Sequence, residues 1–145
     1  MNILITEPSD YSPKALEIYK LLGRVYFYTD LSAKDKKTFL PYILKYNPAL
    51  IFSADVFNDN DVYLLATAKA QNIKTVGMIR SWDNFNTKGV FRVKPDKLIV
   101  HNEILKNQAI KWNGLSESDI FISGVPQYDR YINNKRMDRE VFLKK

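Results

Sequence analysis

The stretch Arg80-Ser81-Trp82-Asp83-Asn84-Phe85-Asn86-Thr87-Lys88-Gly89 packs a carboxylate, two amides, two hydroxyls, an indole, two cations and a glycine into ten positions. A carboxylate in such a loop can act as a general base or orient a sugar hydroxyl, which makes Asp83 the candidate catalytic residue. It reads equally as a turn cap, because Asp and Asn side chains bond to their own backbone neighbours. Trp82 has the size to stack on a sugar face or another ring, although indoles more often fill cores. Arg80 and Lys88 can hold phosphate oxygens, or stand as solvated surface cations. Ser81, Asn84, Thr87 and Gly89 complete the candidate substrate-binding set in this segment.

A second cluster is Gly124-Val125-Pro126-Gln127, which adds Gly124, Pro126 and Gln127 to the candidate binding residues. A glycine after an apolar strand allows a ligand to approach the backbone, or supplies a positive φ for a tight turn. His101-Asn102-Glu103 sits at another strand-to-helix junction. His101 reads as a hydrogen-bonded structural residue and Asn102 as a helix cap, while Asn102 and Glu103 also remain binding candidates. Lys94-Pro95-Asp96 reads as a simple turn before a strand. The five glycines stand alone at Gly23, Gly77, Gly89, Gly114 and Gly124. Neither GxGxxG nor GxxxxGK[ST] is present, so nucleotide cradling of the glycine-rich type is not expected, and no cofactor is assigned.

These residues need elements to position them, and the hydrophobic pattern supplies strands alternating with helices. Asn2 to Thr6 and Val25 to Tyr28 read as strands. Between them Ser12-Pro13 opens a helix that carries Ala15, Ile18, Tyr19 and Leu22 on one face and stops at Gly23. Ser32 caps a second helix through about Tyr46, with Phe39, Tyr42, Ile43 and Tyr46 on one side and a kink or split at Pro41. After the turn at Asn47-Pro48, Ala49 to Ser53 is a third strand. Asp59 or Asn60 caps a helix from Val62 to Gln71, with Leu64, Leu65 and Ala68 inward.

Lys74 to Ile79 is the fourth strand, and the Arg80 to Gly89 segment follows it as a loop. Lys97 to Val100 is the fifth, with a helix near Glu103 to Trp112 ended by Asn113-Gly114. Asp119 to Ile122 is the sixth, and a last helix starts near Asp129. Single helices between strands imply right-handed crossovers and a mostly parallel sheet covered on both faces. The expected fold class is therefore α/β, Rossmann-like or flavodoxin-like. In such sheets ligand loops lie at the carboxyl ends of strands, where all the candidate residues fall.

The chain has 145 residues, 46% apolar and 26% charged, as expected of one globular domain. It has no cysteine, which excludes disulfides and thiolate metal sites. A lone histidine makes a histidine-based zinc site or a serine–histidine triad hard to assemble, and no metal site is assigned. No apolar run approaches the ~18 residues of a membrane span, and Met1 to Asp10 lacks a signal-peptide pattern, so the expected location is the cytoplasm. The net charge of +6 comes from scattered lysines, with local runs at Lys34 to Lys37 and Asn134 to Arg136. Most of it reads as solvated surface, and the rest as a basic face tolerant of a nucleotide, a phosphate or an anionic membrane. No arginine stripe or interleaved aromatic–basic motif appears, so no nucleic-acid partner is expected.

From about Asn47 to Ile132 the sequence resembles the N-terminal half of GT-B-type glycosyltransferases, built of two Rossmann domains, from a bacterial group found with surface-polysaccharide genes. The likeness runs through Asn47 to Ser53, Thr75 to Asn84 with Thr87-Lys88-Gly89, Lys94 to Glu103, and Gly124 to Tyr131. The loop layout is also similar to that of CDP-glycerol glycerophosphotransferases of teichoic-acid synthesis. Their base is a histidine, whereas Asp83 stands in the equivalent loop here. The resemblance implies a cytoplasmic enzyme, or one peripheral at the inner face of the cell membrane. It also implies a nucleotide-sugar donor bound mainly by a C-terminal domain, and a sugar or lipid-linked acceptor held by this one. On that reading residues 1–132 form the N-terminal domain, and 133–145 begin an interdomain segment or a truncated C-terminal part. The domain is then expected to be inactive without its partner domain.

Asn2 to Leu16 looks like the start of D-2-hydroxyacid dehydrogenases such as phosphoglycerate dehydrogenase. That family's glycine-rich NAD motif and its catalytic Arg, Glu and His set are not recognisable, and a shared βαβ opening accounts for the likeness. An NAD-dependent dehydrogenase fragment and a non-catalytic α/β binding module are the alternative readings.

Overall fold

Six short strands pair side by side, and every pairing is parallel. They are β1 (Asn2–Thr6), β2 (Arg24–Tyr28), β3 (Leu50–Ser53), β4 (Lys74–Met78), β5 (Lys97–Val100) and β6 (Ile120–Ile122). The structure, a computed structural model, describes residues 2–6, 24–28, 38–129 and 139–143, together with Glu17, Leu21 and Tyr131. The strand order is β2-β1-β3-β4-β5-β6. This is the flavodoxin-like order extended by one strand, so the expected α/β, Rossmann-like class is the observed one. The order reverses between β1 and β3, and ligands of open α/β sheets gather in the crevice at such a reversal.

Burial explains why the strand sequences look as they do. Ile51, Phe52 and Ser53 of β3 are all buried, as in a strand covered on both faces. β4 buries Thr75 and Gly77, and β5 buries Leu98 and Val100. Register follows: Ile3 pairs Leu50, Ile51 pairs Thr75, Gly77 pairs Leu98 and Ile99 pairs Phe121.

The helices bounded within the described residues are α1 (Leu40–Tyr46), α2 (Asp59–Ala70), α3 (Asn84–Lys88), α4 (Glu103–Asn113) and α5 (Arg139–Leu143). Pro41 stands in the first turn of α1, where its missing N–H costs nothing. Asn47 closes α1 in the left-handed region at φ 41°. α2 is capped by Asn58, not by Asp59 or Asn60: the Asn58 backbone is extended and its side chain accepts the Asn60 N–H at 2.9 Å. α4 behaves as expected, with Asn102 accepting the Leu105 N–H at 3.0 Å and Gly114 terminating it at φ 60°. The helix expected over Ser12 to Leu22 lies, apart from Glu17 and Leu21, outside the described residues, as does the Ser32 cap. So does most of the helix expected from near Asp129.

Among the described residues, two clusters form the core. Val56, Phe57, Leu65, Ile79, Phe85, Leu98, Val100, Leu105, Ala109 and Leu115 make the larger one. Phe39, Ile43, Ile51, Leu64 and Ala68 make the other, so adjacent leucines of α2 serve different clusters. No described helix is long and apolar enough to cross a membrane.

Candidate functional site

Because all six strands run the same way, their carboxyl ends share one edge of the sheet. The segment after β4 was expected as a loop, but part of it is the short helix α3. Phe85, buried in the large cluster, draws that turn onto the core. Its ring meets Phe57 edge-on at 5.8 Å and Trp112 edge-on at 6.3 Å, with Phe91 tilted beside it at 5.4 Å. Such contacts add about 0.5–1.5 kcal/mol per pair beyond area burial. The polar residues around Phe85 are thereby fixed to a rigid platform.

Before α3 the chain makes a tight polar turn. The Ser81 hydroxyl donates to one oxygen of the Asp83 carboxylate, and the Ser81 N–H donates to Oδ1 of Asn84 at 3.0 Å. Asn84 is buried and its carbonyl is occupied by this contact, so it holds the turn. Among the described residues, the second oxygen of Asp83 makes no hydrogen bond. The Asp83 carbonyl accepts the Thr87 N–H at 3.0 Å and the Thr87 hydroxyl at 3.1 Å. Trp82 at the crest of the turn is 72% exposed, which removes the core reading of this indole. Arg80 is also exposed. Gly89 leaves α3 at φ 79°, a conformation that L side chains rarely adopt.

Lys88 faces the loop after β3. Its ammonium lies 3.8 Å from Oδ2 of Asp55 and 5.9 Å from the centre of the Phe57 ring. Asp55 was not singled out by sequence, yet it is only 5% exposed at the carboxyl end of β3, beside the strand-order reversal. Its Oδ1 accepts the Phe57 N–H at 3.1 Å, and a second buried acid, Asp61, accepts the Ser53 hydroxyl at 2.8 Å. The available signal was polar Ser53 and Asp55 directly after the apolar Ile51-Phe52. Gly77 is what lets this loop lie down: a Cβ there would collide with Cγ1 of Val56 and stand 3.0 Å from Cγ of Pro95.

The remaining candidates occupy the ends of β5 and β6. His101 is buried, and burial pushes its pKa below the ordinary 6.5, partly countered by its hydrogen bond to the Ile79 backbone. It is a structural residue joining the β4 and β5 ends. Asn102 is engaged as the α4 cap, and the Glu103 carboxylate lies 3.7 Å from Lys106. Gly124 has φ 75°, so a turn geometry requires it, and Pro126 and Gln127 lie exposed in a single 3-10 turn, Pro126–Tyr128.

Asp96, expected in a simple turn, does more. Its carboxylate accepts from the Thr75 N–H at 2.8 Å, the Thr75 hydroxyl at 2.9 Å and the Lys69 ammonium at 2.8 Å. Burial works to raise its pKa, but the bonds from Lys69 and Thr75 outweigh it and leave it below the ordinary 3.8. Among the described residues, no group of three or more His, Asp or Glu side chains is arranged to hold a metal ion.

The arrangement thus joins two loops through Asp55, Lys88, Phe57 and Phe85, and presents Trp82 and a partly bonded Asp83 to solvent. Chemically it can stack a ring and accept a proton or a hydroxyl hydrogen bond. No protein-family model, curated protein or solved structure matches the chain.

Proposed function

We propose that this chain is the acceptor-binding half of a GT-B-type transferase that moves a sugar or related group from a nucleotide-activated donor in cell-surface polysaccharide biosynthesis. It would act in the cytoplasm or at the inner face of the cell membrane, with a C-terminal domain holding the donor. The observation that carries this reading is an exposed indole next to a carboxylate with one oxygen left over, both at the carboxyl edge of a parallel sheet. In the proposed reaction the free oxygen of Asp83 takes the proton of an acceptor hydroxyl as that hydroxyl attacks the activated carbon. The new carbon–oxygen bond replaces the bond to the nucleotide phosphate, which leaves with its electron pair. Trp82 holds the acceptor ring, and the Ser81 and Asn84 bonds fix the turn so that the hydroxyl is in place before reaction.

The test is Asp83→Asn in the transferase assembled with its donor-binding domain. Turnover is expected to fall by about 10²–10⁴-fold, the usual range for a lost general base, with the melting temperature unchanged. Unchanged turnover removes Asp83 from the mechanism. The Ser81–Asp83 bond favours one rival reading, a non-catalytic binding module, because it gives the carboxylate a structural reason to exist. In a module, Asp83→Asn lowers saccharide affinity, and no donor is consumed by the parent protein.

A further inference from the structure

The ends of three neighbouring strands are held in line. The Ile79 N–H donates to the Ile99 carbonyl at 3.1 Å, and the Ser123 N–H to the Val100 carbonyl at 2.9 Å. Beyond each end the chain leaves a large apolar side chain in solvent. Trp82 after β4 is 72% exposed, Ile104 after β5 is 67% exposed, and Tyr128 and Tyr131 after β6 are 57% and 62% exposed. The two tyrosine rings lie 6.1 Å apart, tilted by 56°. Adjacent strands are ~4.8 Å apart, so the ends of β4, β5 and β6 from which these segments leave span about 10 Å. Exposed apolar side chains scattered singly need no explanation, but a row of them at one ligand edge does.

The charge along this row narrows the occupant. The chain carries +6 overall, yet the described residues here include the acids Asp83, Glu103 and Asp129 against the bases Arg80, Lys88 and Lys106, the last shared between Glu103 and Glu117. Lys88 already faces Asp55 at 3.8 Å. A polyanion or an anionic membrane would therefore meet carboxylates without a cationic excess. A sugar chain fits better: each ring offers an apolar C–H face to an aromatic side chain and a rim of hydroxyls to carboxylates and amides.

We propose that the row from Trp82 to Tyr131 binds a neutral oligosaccharide of at least two residues lying across the ends of β4, β5 and β6. One ring rests on Trp82 beside Asp83, and the next rests on the Tyr128–Tyr131 pair with Ile104 between. The inference rests on the acceptor reading of Trp82 and Asp83 and names the acceptor class: a neutral glycan chain, not a glycerol phosphate polymer or a lipid headgroup.

The probes are an immobilised panel of neutral and anionic glycans from single sugars upward, glycerol phosphate polymer, and phosphatidylglycerol vesicles. Neutral disaccharides and longer chains are expected to bind at least about tenfold better than their single sugars, as the loss of one anchoring contact implies. Trp82→Ala and the Tyr128→Ala/Tyr131→Ala double variant should each remove about tenfold, with unchanged melting because these side chains are exposed. Binding confined to the anionic probes or the vesicles, no neutral glycan bound, or indifference to Tyr128 and Tyr131 each overturns the proposal. Length-dependent glycan binding without transfer from any nucleotide sugar by the transferase assembled with its donor-binding domain overturns the transferase reading alone. Transfer to single sugars that ignores Tyr128 and Tyr131 overturns the glycan row alone.

Discussion

Replacing Gly77 with alanine tests how the loop after β3 is seated. Gly77 lies in the middle of β4, and the Cβ of Ala would enter the space of Val56 Cγ1 and approach Pro95 Cγ to 3.0 Å. Val56 is fully buried, so it cannot swing away without carrying the Asp55–Phe57 loop with it. No positive φ is involved at Gly77, which leaves steric overpacking as the cause. Overpacking of a tight core costs about 1–3 kcal/mol. Unfolding entropy of about 2.1 cal/mol/K per residue amounts to roughly 0.3 kcal/mol/K for a chain of this size. The melting temperature should therefore fall by roughly 3–10 °C.

Circular dichroism melts of Gly77→Ala, Val56→Ala and the double variant make the measurement. In the double variant the smaller side chain at 56 makes room for the new methyl, so its loss should be smaller than the sum of the two singles. A coupling of about 0.5–3 kcal/mol is typical of residues in contact. An unchanged melting temperature in Gly77→Ala, or strict additivity in the double variant, refutes the packing argument.

Two other outcomes follow from the described contacts. Asn102→Ala leaves the Leu105 N–H without its cap and should cost about 1 kcal/mol, read as a lower urea midpoint at constant slope. His101 has a folded pKa below the ordinary 6.5, so at mildly acidic pH the unfolded chain binds the extra proton. Stability should then be full above the unfolded value and decline as pH drops through 6.5 toward the folded value. Because it is the only histidine, His101→Gln should flatten urea midpoints across that window; an unaltered slope would assign the titration elsewhere.

The sequence was most readable where local signals agreed with one another. β5 matches residue for residue because Pro95-Asp96 precedes it and the Asn102 cap follows closely. α4 is bounded by a cap and a left-handed glycine, each with its own chemical signature. The α2 start was less readable because Asn58, Asp59, Asn60 and Asp61 can all cap, and only the extended Asn58 backbone decides. α3 is a single short turn with no amphipathic repeat, formed because Phe85 is pulled into a cluster assembled from distant residues. Asp55 was missed for the same reason, since its burial and its Lys88 partner depend on chain folded back from another loop. In Arg80 to Gly89 the inventory was legible, but not the division between Asn84, which holds the turn, and Trp82, which faces solvent.

The bonds between Asp96 and Thr75 also have a bearing on how such a domain can change. They join the base of β5 to the base of β4, while the Ile79 N–H ties the upper end of β4 to Ile99. The chain from Arg80 to Pro95 is thus an excursion clamped at both ends by strands and seated in the core through Phe85. Doubling the length of such a loop adds only about 0.6 kcal/mol of closure cost. The excursion is therefore a cassette in its exposed part: residues such as Trp82 can be exchanged to alter what is recognised, while Phe85 keeps its place in the core and the sheet beneath keeps its register.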